Sequence, residues 1–144
     1  MASFTVDDLR DLLTSSAGVT TTIYRESMAP DPDDAILIRE TGGFPPIRAM
    51  RSSTRAGGLG GGLTVFERRT VQITRRSASA QLAQADTEFM YNFLDGRSRT
   101  INGTRYALIT AMQPPFPLPQ DANGRSQRVL NILCEKEPST ATST

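Results

Sequence analysis

Asn102-Gly103 constrains this chain more than any other pair, because it stands between two runs of β character. Arg99-Thr100-Ile101 leads into it, and Thr104-Arg105-Tyr106-Ala107-Leu108-Ile109-Thr110-Ala111-Met112 leaves it. A type I′ turn needs positive φ at both central positions, so Asn-Gly here predicts a β-hairpin. Gln113-Pro114-Pro115-Phe116-Pro117-Leu118-Pro119-Gln120 follows. Its four prolines cannot donate to a ladder, which predicts a loop. Asp121-Ala122-Asn123-Gly124 predicts a second turn, and residues 125–135 a long final strand. The C-terminal third therefore reads as three strands, most simply a meander, and everything upstream has to pack on or beside it.

Thr5 followed by Asp8 resembles a capping box, and Val6, Leu9, Leu12 and Leu13 recur at helical spacing. They predict an amphipathic helix of about three turns ending near Gly18, a C-cap residue. Residues 20–25 are β-branched and aromatic and predict a short strand, broken by Ala29-Pro30-Asp31-Pro32-Asp33-Asp34. Ala35-Ile36-Leu37-Ile38-Arg39-Glu40 predicts a second strand whose unbroken apolar start suggests a central position. From 41 to 62 the pattern dissolves into Gly42-Gly43, Pro45-Pro46 and a glycine-rich run. A flexible Gly/Arg loop carrying Arg48, Arg51 and Arg55 and no acid is expected there. Residues 63–75 resume strand alternation, with Val65, Val71 and Ile73 on one face and Phe66, Thr70, Gln72 and Thr74 on the other. Ser77 then reads as the N-cap of a second helix over 78–94, with Leu82, Ala85, Phe89 and Phe93 as its core face and Asp95-Gly96 as its stop. Residues 138–144 are too polar to order. The fold class that follows is α+β: one domain over 1–137, built on a mixed or mainly antiparallel twisted sheet of about five to six strands with two helices packed on it.

Composition then excludes most chemistry. The chain has 144 residues, enough for one domain with a sizeable core, and a formal net charge of +1 that favours neither nucleic acid nor acidic ligands. It has no histidine and one cysteine, Cys134, so Ser-His-Asp and Cys-His arrangements, a Cys/His zinc site and an internal disulfide are all closed. Cys134 shares a strand face with Leu130 and Ile132 and reads as a small core residue. No apolar leader or membrane-length run is present, so a chain kept in a reducing cytoplasm is expected. The glycine-rich run lacks the Gly-Lys-Ser/Thr ending of a phosphate loop. Asp7-Asp8 and Asp33-Asp34 have ordinary roles at a helix start and a turn. No enzyme, cofactor, metal or small-molecule ligand is expected. All the cations except Lys136 are arginines, which reflects either a GC-rich genome or a use for bidentate pairing. Arg68-Arg69 and Arg75-Arg76 split across the two faces of a strand, as solvated charges, inter-subunit partners or contacts to phosphate. What remains is two long loops, one of them stiffened by proline and carrying Phe116 and Leu118 on its surface. Such loops make good interface anchors, so an assembly subunit is predicted.

The order of these segments resembles the tail terminator proteins of long-tailed bacteriophages, often labelled phage minor capsid proteins. The resemblance rests on Pro32-Asp33-Asp34-Ala35-Ile36-Leu37-Ile38-Arg39-Glu40-Thr41-Gly42-Gly43 and Leu94-Asp95-Gly96. It continues through Ile101-Asn102-Gly103-Thr104-Arg105-Tyr106, Gln113-Pro114-Pro115-Phe116-Pro117-Leu118, Asp121-Ala122-Asn123-Gly124-Arg125 and Asn131-Ile132-Leu133-Cys134-Glu135. It spans residues 7–137 and departs in the Gly/Arg insertion 51–62. The resemblance implies a structural virion protein at the tail–neck junction, assembled in the host bacterial cytoplasm. It further implies a homo-hexameric ring that caps the tail tube, ends its polymerisation and joins it to the head connector or stopper, with DNA passing through the lumen. Pro115, Phe116, Leu118, Arg68 and Arg75 are the expected interface residues, and Arg48, Arg51 and Arg55 the expected lumen- or tube-facing arginines. A head-side stopper or adaptor, the tail tube subunit and an unrelated nucleic-acid-binding module are the alternatives.

Overall fold

The computed structural model describes residues 5–49 and 63–138. The elements run α1 (Thr5–Ser15), β1 (Ile23–Arg25), β2 (Ala35–Ala49), β3 (Leu63–Ser77), α2 (Ala80–Leu94), β4 (Arg97–Ile101), β5 (Thr104–Ala111), β6 (Phe116–Leu118) and β7 (Ser126–Lys136). They form one mixed seven-stranded sheet in the order β1-β2-β3-β7-β5-β4, with β6 paired to β7. Only β1–β2 is parallel; the other pairs are antiparallel. The fold is α+β, as the sequence predicts.

The hairpin forms as expected. Asn102 (φ 50) and Gly103 (φ 81) both sit in the left-handed region, and Ile101 pairs with Thr104. The meander is also present, β7 lying beside β5 and β5 beside β4. The proline segment is not wholly a loop: residues 116–118 form β6, Phe116 opposite Val129 and Leu118 opposite Gln127. It is an edge strand, where proline costs least.

Both helices cover one face of the sheet. Leu9, Leu12 and Leu13 of α1 and Met90 and Leu94 of α2 close over Ile36, Ile38, Val71, Ile73, Ile109, Leu130 and Ile132. Cys134 lies in this core, and burial pushes its thiol up to about 12. Three expectations need correction. The centre of the sheet belongs to β3 and β7, because β1 flanks β2 only at residues 36–38. The cap of α2 is Ser79, whose hydroxyl accepts from the Leu82 N–H at 3.2 Å, while Ser77 is buried and donates to Asp34. Asp8 is not a helix-end acid in solvent. It is fully buried and accepts the Tyr106 phenol at 2.5 Å.

The largest departure is the length of β2 and β3. Residues 41–49, read as the start of a loop, continue β2 as far as Ala49 opposite Leu63. The expected loop residues 50–62, with Arg51 and Arg55, lie outside the described residues, as do 139–144; Arg48 enters as a backbone position opposite Thr64. β7 stops at Lys136 opposite Glu67, so 47–49 and 63–66 run on as a two-stranded ribbon. Glycine permits this. A Cβ on Gly43 would stand 2.4 Å from the Arg68 carbonyl oxygen, so the strands could not close with any other residue there. Gly43→Ala is expected to cost about 1–3 kcal/mol of stability in urea denaturation. An unchanged midpoint would contradict the close approach.

Candidate functional site

A closed polar cluster is the first place to look for chemistry. Tyr106 and Asp8 are 0% exposed, Lys136 1% and Thr5 2%. Lys136 Nζ donates to Thr5 Oγ1 at 3.2 Å and lies 5.6 Å from the Tyr106 ring centroid. Burial is the main cause that raises the Tyr106 pKa and lowers that of Lys136. Asn102 Nδ2, from the hairpin turn, donates to Asp8 at 3.0 Å and to Asp11 at 2.8 Å. These links tie α1 to the β4–β5 turn and to the ends of β5 and β7; Thr5, Asp8, Tyr106 and Lys136 are buried, while Asn102 and Asp11 stand at the solvent edge. The cluster holds the N-terminal helix down. Among the described residues no group of three potential metal ligands occurs.

At the other end of the sheet, three arginines fasten the 29–34 connection. Arg76 donates to the Ala29 and Pro32 carbonyls. Arg125 donates to the Pro30 carbonyl at 2.7 Å, the Pro32 carbonyl at 3.1 Å and Asp121 at 2.7 Å. Arg75, 1% exposed, reaches Asp86 at 2.7 Å, Asp34 at 3.3 Å and the Arg76 carbonyl at 2.5 Å. Proline-rich backbone lacks its own donors, and the planar five-donor guanidinium supplies them. Arg75, expected at an interface, is thereby an internal ion-pair partner, because its charge is fully engaged inside the domain. Sequence alternation placed Arg75 and Arg76 on opposite faces; both are nevertheless buried, since the connection folds over the strand ends.

The solvent-facing surface is where the molecule offers something. On α2 the expected core face turns mostly outward, with only Phe93 packed against the core. Leu82 is 42% exposed and Phe89 50%, while Ala83, Thr87, Met90 and Leu94 are buried. Phe89 stacks on Phe93, centroids 6.3 Å apart, and the Arg97 guanidinium sits 4.2 Å over Phe93. The helix therefore carries two apolar stripes. Sequence alone favours the aromatic one, whereas the packed one contains Thr87, whose hydroxyl donates to the Ala83 carbonyl at 2.7 Å and needs no other partner. The signal that could have found the true core face is the 83-87-90-94 spacing, masked by one threonine.

Beside this stripe a cleft of about 450 Å³ opens between α2 and the turn after α1, with Val19, Ile36, Leu82, Phe89 and Met90 as its apolar lining and the Asp34–Arg75–Asp86 ion pairs at its rim. The ribbon carries exposed Ile47 (40%), and exposed Phe44 (44%) stands at its base, with the Arg68 guanidinium 5.2 Å from the Phe44 ring centroid and 3.6 Å from Glu135. Leu108, Met112 and Leu118 are exposed one by one along the β5–β6 side of β7, opposite Glu135, bonded to Asn131 and opposite Gln127 respectively. Of the expected interface residues, Leu118 is exposed, Arg68 and Phe116 are half-buried and Pro115 is buried. The structure does not bring Arg68 and Arg75 together with the proline segment at one patch: Arg68 of β3 lies opposite Phe44 and Arg75 opposite Ile36, far apart along the β2–β3 pairing.

A family model described as "Bacteriophage tail terminator protein" matches residues 12–138. No curated protein matches the chain.

The Ser77 hydroxyl holds the Asp34 carboxyl below its ordinary value of 3.8, against a partial burial penalty and with help from Arg75. The folded value is lower than the unfolded one. This stabilisation is therefore complete above about pH 4 and lost as pH falls through the folded value. Because the carboxylate is half exposed, the contribution is about 1 kcal/mol or less. Thermal unfolding of Asp34→Asn is expected to lie roughly 3 °C below the native chain at pH 7, with the gap closing in strong acid. A gap that persists unchanged in strong acid would contradict the assignment.

Proposed function

Because the chain belongs to the bacteriophage tail terminator family, we propose that six copies form a ring that caps the finished tail tube. The ring ends tube polymerisation and gives the head connector its docking face at the tail–neck junction. Family membership makes the chain a component of the virion tail, and its role there is consistent with a structural protein rather than an enzyme. The observation that carries the reading is the family match over residues 12–138. Exposed apolar side chains on three parts of the described surface support it: Leu82 and Phe89 on α2, Phe44 and Ile47 on β2, and Leu108, Met112 and Leu118 along the β5–β6 side. A ring subunit that also binds a tube needs two ring-forming surfaces and one axial surface. We assign the β5–β6 side, with Leu118 and Met112, to the axial contact with the tail tube. β6 is proline-stiffened, so little ordering entropy is lost when it docks.

Light scattering on the purified chain, alone and mixed with tail tubes lacking their caps, tests this. Binding at one tube end with arrest of further growth is expected. Open-ended tubes built from the chain itself would make it a tube subunit, and no tube binding would move it to the head side of the neck. Replacing Leu118 and Met112 with Ser is expected to leave the fold intact and to weaken tube binding at least tenfold.

A further inference from the structure

The Asn102-Gly103 turn has a chemical side as well as a conformational one, because asparagine before glycine is the setting in which a side-chain amide is most readily lost. The backbone nitrogen of the following residue attacks the amide carbon, and only glycine offers it with no side chain in the way. Both turn residues are exposed to water. A Cβ on Gly103 would meet nothing within 4 Å, so the attacking nitrogen is uncrowded.

What holds the amide is α1. Asn102 Nδ2 donates to Asp8 Oδ1 at 3.0 Å and to Asp11 Oδ2 at 2.8 Å, two carboxylates that are neighbours on one helix face. These bonds direct the amide toward the helix and away from the Gly103 nitrogen. They also make the position intolerant of a carboxylate, since the amide nitrogen has two hydrogens to donate and an ionised acid has none. Asp8 is fully buried and already accepts the Tyr106 phenol. Arg10, 3.6 Å from Asp11, is shared with Asp7 at 3.5 Å. A third carboxylate at 102 would replace two attractive contacts by two repulsive ones.

We propose that Asn102 is a deamidation site that acts as a one-way release for α1. While α1 is docked, its carboxylates hold the amide out of reach of the Gly103 nitrogen. When the helix lifts, that nitrogen loses its proton to water and bonds to Cγ of Asn102. The Cγ–Nδ2 bond breaks, and the amide nitrogen leaves as ammonia. Water then opens the cyclic imide at either carbonyl, giving aspartate or isoaspartate. The sum is amide plus water to acid plus ammonia, so water is the only co-reactant. The new carboxylate faces Asp8 and Asp11, and the helix no longer closes on the turn as before. This site is independent of the ring reading.

The test uses the full chain. Native protein and Asp11→Ala are aged in neutral buffer, and peptide mass mapping follows conversion of amide to acid at 102. The Asp11 side chain is about half exposed, so its removal leaves the fold intact. Asp11→Ala is expected to convert severalfold faster than the native chain. The product is also made directly as Asn102→Asp, which tolerates the left-handed turn as asparagine does. It is expected to melt about 5 °C below the native chain and to exchange the amide hydrogens of residues 5–15 faster. Asn102→Gly keeps the turn without adding charge and should melt above Asn102→Asp. Asn102→Asp/Asp11→Ala should recover part of the loss, which a purely conformational effect at 102 would not do. Conversion of Asp11→Ala no faster than native, or an Asn102→Asp chain that melts and exchanges like native, overturns the proposal.

Discussion

The pairing of β3 with β7 is the interaction on which the rest of the structure depends. Eleven consecutive pairs, from Glu67–Lys136 to Ser77–Ser126, run without a register shift. Alternation along both strands sends Val71, Ile73, Leu130, Ile132 and Cys134 to one face, and the two helices cover it. Because β3 and β7 are far apart in sequence, this pairing also brings the N-terminal helix onto the C-terminal strand, where Thr5 meets Lys136. Each neighbour of the central pair is secondary to it: β2 continues from β3, and β5 and β6 share the other side of β7.

The arginine-only habit of the chain takes on physical meaning at the sheet end where β2 starts. A connection containing Pro30 and Pro32 has carbonyls to satisfy and few donors of its own. Arg76 and Arg125 satisfy them, and Arg75 neutralises Asp34 and Asp86. Lysine could match the charge but not the fork. The same staples shape the rim of the α2 cleft. The residues that stabilise the domain there also determine what its surface presents, because their charges are engaged within the domain.

On α2 and on β2, burial fails to follow hydrophobicity. Leu82, Phe89, Phe44 and Ile47 would be core residues in a chain that worked alone, yet each is 40% or more exposed. Single exposed apolar residues need no explanation. Leu82 and Phe89 beside a cleft, and Phe44 and Ile47 where the sheet narrows to two strands, are grouped, and grouped exposure of this kind is typical of binding surfaces. Within the aromatic stripe of α2 that the sequence offers as core, Phe93 does pack against the core, while Leu82 and Phe89 face solvent.

What the sequence determined by itself is everything that depends on near neighbours along the chain. Asn102-Gly103 dictates its turn because positive φ is a local preference, and α1, β1, β5 and β7 follow from periodicity. The absence of histidine closes whole classes of catalysis before any fold is known. The tertiary structure decided the rest. Residues 41–49 read as a loop because glycine and proline break local pattern, but pairing with β3 holds them extended, and only glycine fits at 43. Asp8 looked like a helix-end acid until Tyr106, 98 residues away, claimed it. The face α2 turns inward depends on the sheet it meets. Long-range partners alone determine inside from outside, and no local rule contains them.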